Sequence, residues 1–217
     1  MCAQELTADQ QLIVACHRLE VSQVVELLRN GANIEATFGD ADSKNYFVDK
    51  WAGGTPMSAG QWTPLQALAN SSRYPEPPRE YENTSEHYRW VKETQKTIPK
   101  AEFEKRSQRR IQILAILLSH GCAINVADDR GATPLYNALY SRHEAMAKRL
   151  LDFKPNVNIK TGIYIDGTGD ITPLHRAYWS TDLTKRLVEL GANDDAKDSA
   201  GHTPKNWRRL HAPLKTP

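Results

Sequence analysis

The chain is poor in cysteine, in long apolar runs and in net charge, and each shortage closes off a class of protein. Its three cysteines, Cys2, Cys16 and Cys122, are widely spaced and form no Cys-x-x-Cys pair, which excludes a disulfide framework and a thiolate zinc site and leaves three reduced thiols. No stretch reaches the roughly 18 consecutive apolar residues of a membrane span, and "MCAQELTADQQLIVACH" lacks the basic start and long apolar core of a secretion signal. The expectation is a soluble, cytoplasmic protein. With 28 Lys and Arg against 26 Asp and Glu, the net charge of +2 gives no overall attraction to nucleic acid or anionic lipid. The charge is unevenly spread, however: residues 71–110 hold ten basic and seven acidic residues, and residues 201–217 hold four basic and none acidic. Catalytic signatures are missing too, with no G-x-S-x-G, phosphate loop, H-E-x-x-H or kinase set. No catalytic residue, metal or cofactor is therefore expected.

What the chain does have is internal repetition. Thr-Pro pairs at 63, 133, 172 and 203 each open a helix-like stretch, with Thr suited to cap a helix and Pro to its first position, where a missing N–H is harmless. A second landmark closes a helix and enters a turn: "NGANIEA" from 30, "HGCAINVAD" from 120, "KPNVNIK" from 154 and "LGANDDAKD" from 190. Gly31, Gly121 and Gly191 stand where a helix end requires a left-handed residue.

The two landmarks, alternating along the chain, resemble the ankyrin repeat, a helix-turn-helix unit with the approximate pattern G-x-T-P-L-H-x-A and a second helix ending L-L-x-x-G-A-x-V-N. "GATPLYNAL" and "ITPLHRAY" carry the first half, and "VVELLRNGANIEA" and "ILAILLSHGCAINVAD" the second. The resemblance implies an all-α solenoid of such units with β-hairpin fingers between them, and a non-enzymatic role in binding other proteins.

The family's spacing of about 21 residues from Thr to turn Gly and about 12 from Gly to the next Thr tests the phase. Gly121 to Thr133 and Gly191 to Thr203 are each 12, and Thr133 to Lys154, which replaces the glycine, is 21. The exceptions locate additions and losses. Gly31 to Thr63 is 32, an enlarged finger over 37–62; Thr63 to Gly121 is 58, an insertion over about 71–108 between two helices. Thr172 to Gly191 is 19, so the connection between the helices of that unit is short by two residues. One domain over 1–217 results, with repeats near 6–36, 60–127, 128–160 and 169–197 and a truncated capping repeat at 198–217. The first repeat lacks Thr-Pro, but Thr7 and Gln10 suit a capping box. Within the insertion, "NTSEHYRWVKETQK" reads as a short amphipathic helix, and the breaker-free run after Pro99 predicts an early start for the following helix.

By position in the repeat, the face for a partner protein comprises the residue before each Thr and the end of each first helix. That selects Trp62, Ala132, Ile171 and His202, with Asp129 and Arg130 at a finger, and His17, Arg18, Asn70, Ser71, Tyr140, Ser141, Trp179 and Ser180. Trp62, Tyr140 and Trp179 supply the large aromatic area typical of binding hot spots. Tyr46, Phe47, Trp51, Tyr88 and Trp90 are further contacts offered by the insertions.

Other features are weighed toward structural roles. His175 belongs to the T-P-L-H pattern, and His120 stands at a helix end. "GDADSKN", with Asp40, Asp42 and Asn45, lacks the Gly and distant Glu of a calcium loop, and "DGTGD" at 166–170 reads as a hairpin turn. Lys105, Arg106, Arg109 and Arg110 read as a solvated cluster paired with Glu102 and Glu104. The alternatives of another class are a ligand or catalytic site in the insertion, with Glu86 or His87, and nucleic-acid binding through Lys205, Arg208, Arg209 and Lys215. The expected function is blocking or scaffolding of a partner protein by a monomer, as a toxin-neutralising immunity protein or as a host-directed effector or adaptor.

Overall fold

The computed structural model describes residues 6–38, 62–71, 99–162 and 169–211. These residues are helical, as the spacing predicts, and the chain divides into two compact units, Met1–Ala123 and Ile124–Pro217.

In the first unit, helix α1 (Ala8–Arg18) starts at Thr7, whose hydroxyl accepts the Gln10 amide at 3.3 Å while the Gln10 side chain accepts the Thr7 amide at 3.0 Å, the predicted capping box. α2 (Val21–Arg29) returns alongside it. α3 (Pro64–Ala69) begins at the Thr63-Pro64 pair with a second capping box, made with Gln66, and packs on α1, where Ala15, Ala67 and Ala69 are buried. α4 (Lys100–Ser119) runs from Pro99 for 20 residues, confirming the early start. Its buried stripe comprises Arg106, Arg110, Ile113, Leu114 and Leu117. The solvated-cluster reading is therefore corrected for Arg106 and Arg110, which lie two turns and one turn before Ile113 on the packed face. The Arg110 Nε–H donates to Ser71 Oγ at 2.9 Å, which supplies part of the pairing a buried guanidinium requires. Cys16 and Cys122 are buried thiols, and burial is the main cause raising both, Cys122 to about 12.

In the second unit, α5 (Pro134–Tyr140) and α6 (Glu144–Asp152) form one pair, and α7 (Pro173–Arg176), extended by a 3-10 turn at Ala177–Trp179, and α8 (Thr181–Glu189) form the next. α9 (Pro204–His211) packs on α7 and the 3-10 turn. The two-residue shortfall lies in the connection: α5 reaches α6 through Ser141, left-handed Arg142 (φ 55°) and His143, whereas Ser180 alone separates the 3-10 turn from α8. Ser180 caps α8 by accepting the Leu183 amide. Lys154 adopts φ 50° where the other units have Gly31, Gly121 and Gly191 at φ 79° to 86°.

Among the described residues no strand forms; Phe38 and Trp62 make an isolated antiparallel bridge, and turns stand where the resemblance implied hairpin fingers. Asp128 and Asp198 close two of these tips in the same way. Asp128 Oδ1 accepts the amides of Arg130 and Ala132, and Asp198 Oδ1 those of Ala200 and His202. Backbone bonds then tie neighbouring tips together, from Gly162 N–H to Arg130 O and from Ser199 N–H to Gly169 O. On the turns that follow the second helices, Asn125 accepts the Asn156 amide and Asn158 the Asn193 amide, each at 2.8 Å, so the spacing of successive turns is set by side-chain amides.

Candidate functional site

The residues selected from the repeat position separate into buried and accessible sets. In the first unit, Trp62 is 5% exposed, stacks on His17 with centroids 6.1 Å apart, and bonds to Phe38 through its backbone. It is corrected from a partner contact to a packing residue. In the second unit, Ile171 is 1% exposed and clusters with Ala132, Tyr136 and Trp207, a second correction, whereas His202 at the same position of the last repeat is half-buried. Ser180 is a buried cap. Ser141 is half-buried at the end of α5, and half-buried Arg130 gives its carbonyl to the Gly162 amide. Asp129 is exposed at the tip.

Tyr140 and Trp179 remain accessible. Tyr140, at the last position of α5, is 44% exposed. Trp179 is half-buried, and its Nε1–H donates to Leu139 O at 3.1 Å, which fixes the indole against the end of α5.

Around Tyr140 the structure assembles residues that the repeat position did not single out. The guanidinium of Arg176, from α7, lies 4.8 Å from the Tyr140 ring, 5.4 Å from the Tyr136 ring and 4.8 Å from the Trp207 ring. Its Nε–H donates to the Tyr136 hydroxyl at 2.8 Å. Beside it, Arg142 lies 6.0 Å from the centroid of the Tyr178 ring, with Nη2 donating to the Tyr178 hydroxyl at 3.3 Å. Tyr178 and Trp207 are neighbours at 6.5 Å. A guanidinium is planar and weakly hydrated, so aromatic faces hold it without neutralising it. One signal was legible: Tyr136 and Tyr140, four apart, share a helical face. The convergence of Arg176 and Trp207 on them comes from separate segments.

His175, one residue earlier, carries a structural role. Its Nδ1 accepts the Thr172 amide at 3.2 Å, so its Nε2 carries the proton and donates to His202 O at 3.0 Å. Burial is the main cause holding its pKa below the ordinary value, consistent with a neutral ring that joins one tip to the next. His120 similarly lies with Nδ1 2.9 Å from Ile116 O at the end of α4.

Charge is sorted by element. α6 and α8 carry acids and bases that pair with one another: Lys148 with Glu144 and Asp182, and Asp152 with Arg149 and Arg186. α5 and α7 with its 3-10 turn contain no acid at all. On α9, Lys205, Arg208 and Arg209 are exposed while Pro204 and Trp207 are buried, the polar outer face expected of a cap. Asp40, Asp42, Asn45, Tyr46, Phe47, Trp51, Glu86, His87, Tyr88, Trp90, Lys215 and the turn at 166–168 lie outside the described residues. No described helix is long and apolar enough to cross a membrane.

A family model for ankyrin repeats, in three copies, matches residues 106–198. Similar proteins include an ankyrin repeat protein of fowlpox virus (strain NVSL), 33% identical over 97 residues that make up 43% of this chain and 15% of the viral protein. Ankyrin repeat and SOCS box protein 9 of Mus musculus is 32% identical over 124 residues, 56% of this chain and 40% of the mouse protein. The chain thus spans well under two thirds of either relative.

Proposed function

This chain is an ankyrin-repeat protein through residues 106–198, and on that premise we propose that it binds another protein through the first-helix face of the second unit. Ankyrin repeats generally mediate protein–protein interaction and are typically non-enzymatic. The observation that carries the reading is the exposed Tyr140 ring beside Arg176 and Trp179, on helices whose other large side chains are packed away. Aromatic and arginine anchors fixed before binding lose little conformational freedom, which favours affinity from a rigid surface. The binding residues under this reading are Tyr140, Trp179 and Arg176, with Asp129 and Ser141 at the margin.

In this reading the protein acts as a cytoplasmic monomer, by scaffolding or blocking its partner. The test is affinity capture from native lysate with the wild type beside a Tyr140→Ala/Trp179→Ala variant of unchanged melting temperature. The expected result is a protein retained by the wild type and lost by the variant; an identical catch from both overturns the reading.

A further inference from the structure

We infer that Arg176 is the receptor for a carboxylate side chain of the bound protein, so that the partner presents an acidic segment to the first-helix face; this rests on the reading that the face binds protein. Arg176 is half-buried among three rings, and its Nε–H is taken by the Tyr136 hydroxyl. No carboxylate among the described residues pairs with it. Among the described acids of the second unit, Glu144, Asp152 and Asp182 are committed to α6 and α8, Asp170 to Lys160, Glu189 to Lys185, and Asp128 and Asp198 to their own tips, while Asp194 and Asp195 lie on the turn after α8. Asp129, exposed at the tip preceding α5, makes no ion pair with it.

The Nη1 and Nη2 groups of Arg176 are thus left with donors in a rigid fork, the arrangement that matches a carboxylate in two parallel bonds. The stacked rings hold the fork in place. Arg142 adds a second cation beside Tyr178, likewise without a carboxylate among the described residues. With α5, α7 and the 3-10 turn free of acid, nothing on these helices repels an incoming Asp or Glu. The exposed Tyr140 ring flanks the fork and gives the partner apolar area to cover. Charge complementarity therefore selects an acidic segment over a basic or neutral one.

The probe is a phage-displayed library of random 12-residue peptides selected on the immobilised full chain, with each binder rechecked on Tyr140→Ala/Trp179→Ala. Peptides lost on that variant are expected to be enriched in Asp or Glu at a fixed position. Replacing that acid by Asn or Gln is expected to weaken binding to the wild type about tenfold, the scale of a lost charge-assisted bond. On Arg176→Gln, checked for an unchanged melting temperature, the same replacement is expected to make less than about a twofold difference, since the coupled partner is gone. If Arg176→Gln does not fold, the replacement made in the peptide alone decides. Peptides that need Tyr140 and Trp179 yet show no acid preference overturn the carboxylate inference and leave the binding face standing. Failure to obtain any peptide that depends on Tyr140 and Trp179 overturns both. Arg176-dependent binding of a fluorescent random-sequence DNA duplex reassigns the fork to phosphate and overturns the inference.

Discussion

Gly131 and Gly201 occupy the same place in two tips closed alike by Asp128 and Asp198, with φ of 73° and 82°. Their surroundings differ. A Cβ at Gly131 would lie 3.0 Å from Gly162 N and 3.2 Å from Lys160 O, both backbone atoms, whereas one at Gly201 would meet nothing within 4 Å. Gly201→Ala is therefore expected to cost about 1 kcal/mol for the left-handed backbone alone, and Gly131→Ala at least about 1 kcal/mol more because the neighbouring tip must shift. Chemical denaturation of the two variants in parallel checks the difference, and equal losses would contradict the close approach. The converse holds at Lys154, a side-chain-bearing residue at φ 50°: Lys154→Gly is expected to stabilise by up to about 1 kcal/mol in the same assay. Lys154 was legible by counting, because its distance from Thr133 placed it in a glycine position. Arg176 was not, since nothing in its local sequence says that rings from α5 and α9 close around it.

At the level of elements, the Thr-Pro starts and left-handed ends were legible because capping chemistry is local. Leu135 and Leu174, each following a Thr-Pro pair, are at most 3% exposed. Leu135→Ala and Leu174→Ala are each expected to destabilise by about 2 to 5 kcal/mol; a near-zero loss in thermal or chemical unfolding would contradict the phase of the repeat. The burial of Arg106 and Arg110 was missed because both were read by charge, although their spacing to Ile113 and Leu117 marks the same stripe. α9 adds a pH dependence through Asp198. Burial raises its pKa, but the Trp207 indole N–H and the amides of His202 and Ala200 outweigh burial, leaving the carboxyl below its ordinary value of 3.8. A lowered folded-state pKa means that the stabilisation is complete above 3.8 and is lost as pH falls through the lowered value. Asp198→Asn is accordingly expected to lose less stability than the wild type between about pH 4 and pH 2. Melting curves followed by Trp fluorescence would show it, and parallel pH profiles would rule it out.

At the scale of the whole molecule, repetition was the most legible property, since landmarks recurring at fixed spacing need no knowledge of packing. The division into two units and the burial of Trp62 and Ile171 were not, because they depend on contacts between segments distant in sequence. The sorting of charge also emerges only at this scale. Pairs such as Lys148 with Asp182 and Arg186 with Asp152 are solvent-exposed, so they are worth little and are screened by salt. Raising sodium chloride from dilute buffer to about 1 M is expected to move the melting temperature by no more than a few degrees, and a much larger fall would show that these pairs hold α6 and α8 together.

The bonds between neighbouring tips also bear on the register of the fold. Gly162 is held by Arg130 and Gly169 by Ser199, while Thr161 bonds Asp170 and Ile171 just outside those two anchors. The two ends of the interval from 162 to 169 are thus each held by a backbone bond to a different neighbouring tip. Each tip is clamped to the next through main-chain groups, so their alignment is a property of the backbone that side-chain replacement at Arg130 or Ser199 is expected to leave in place.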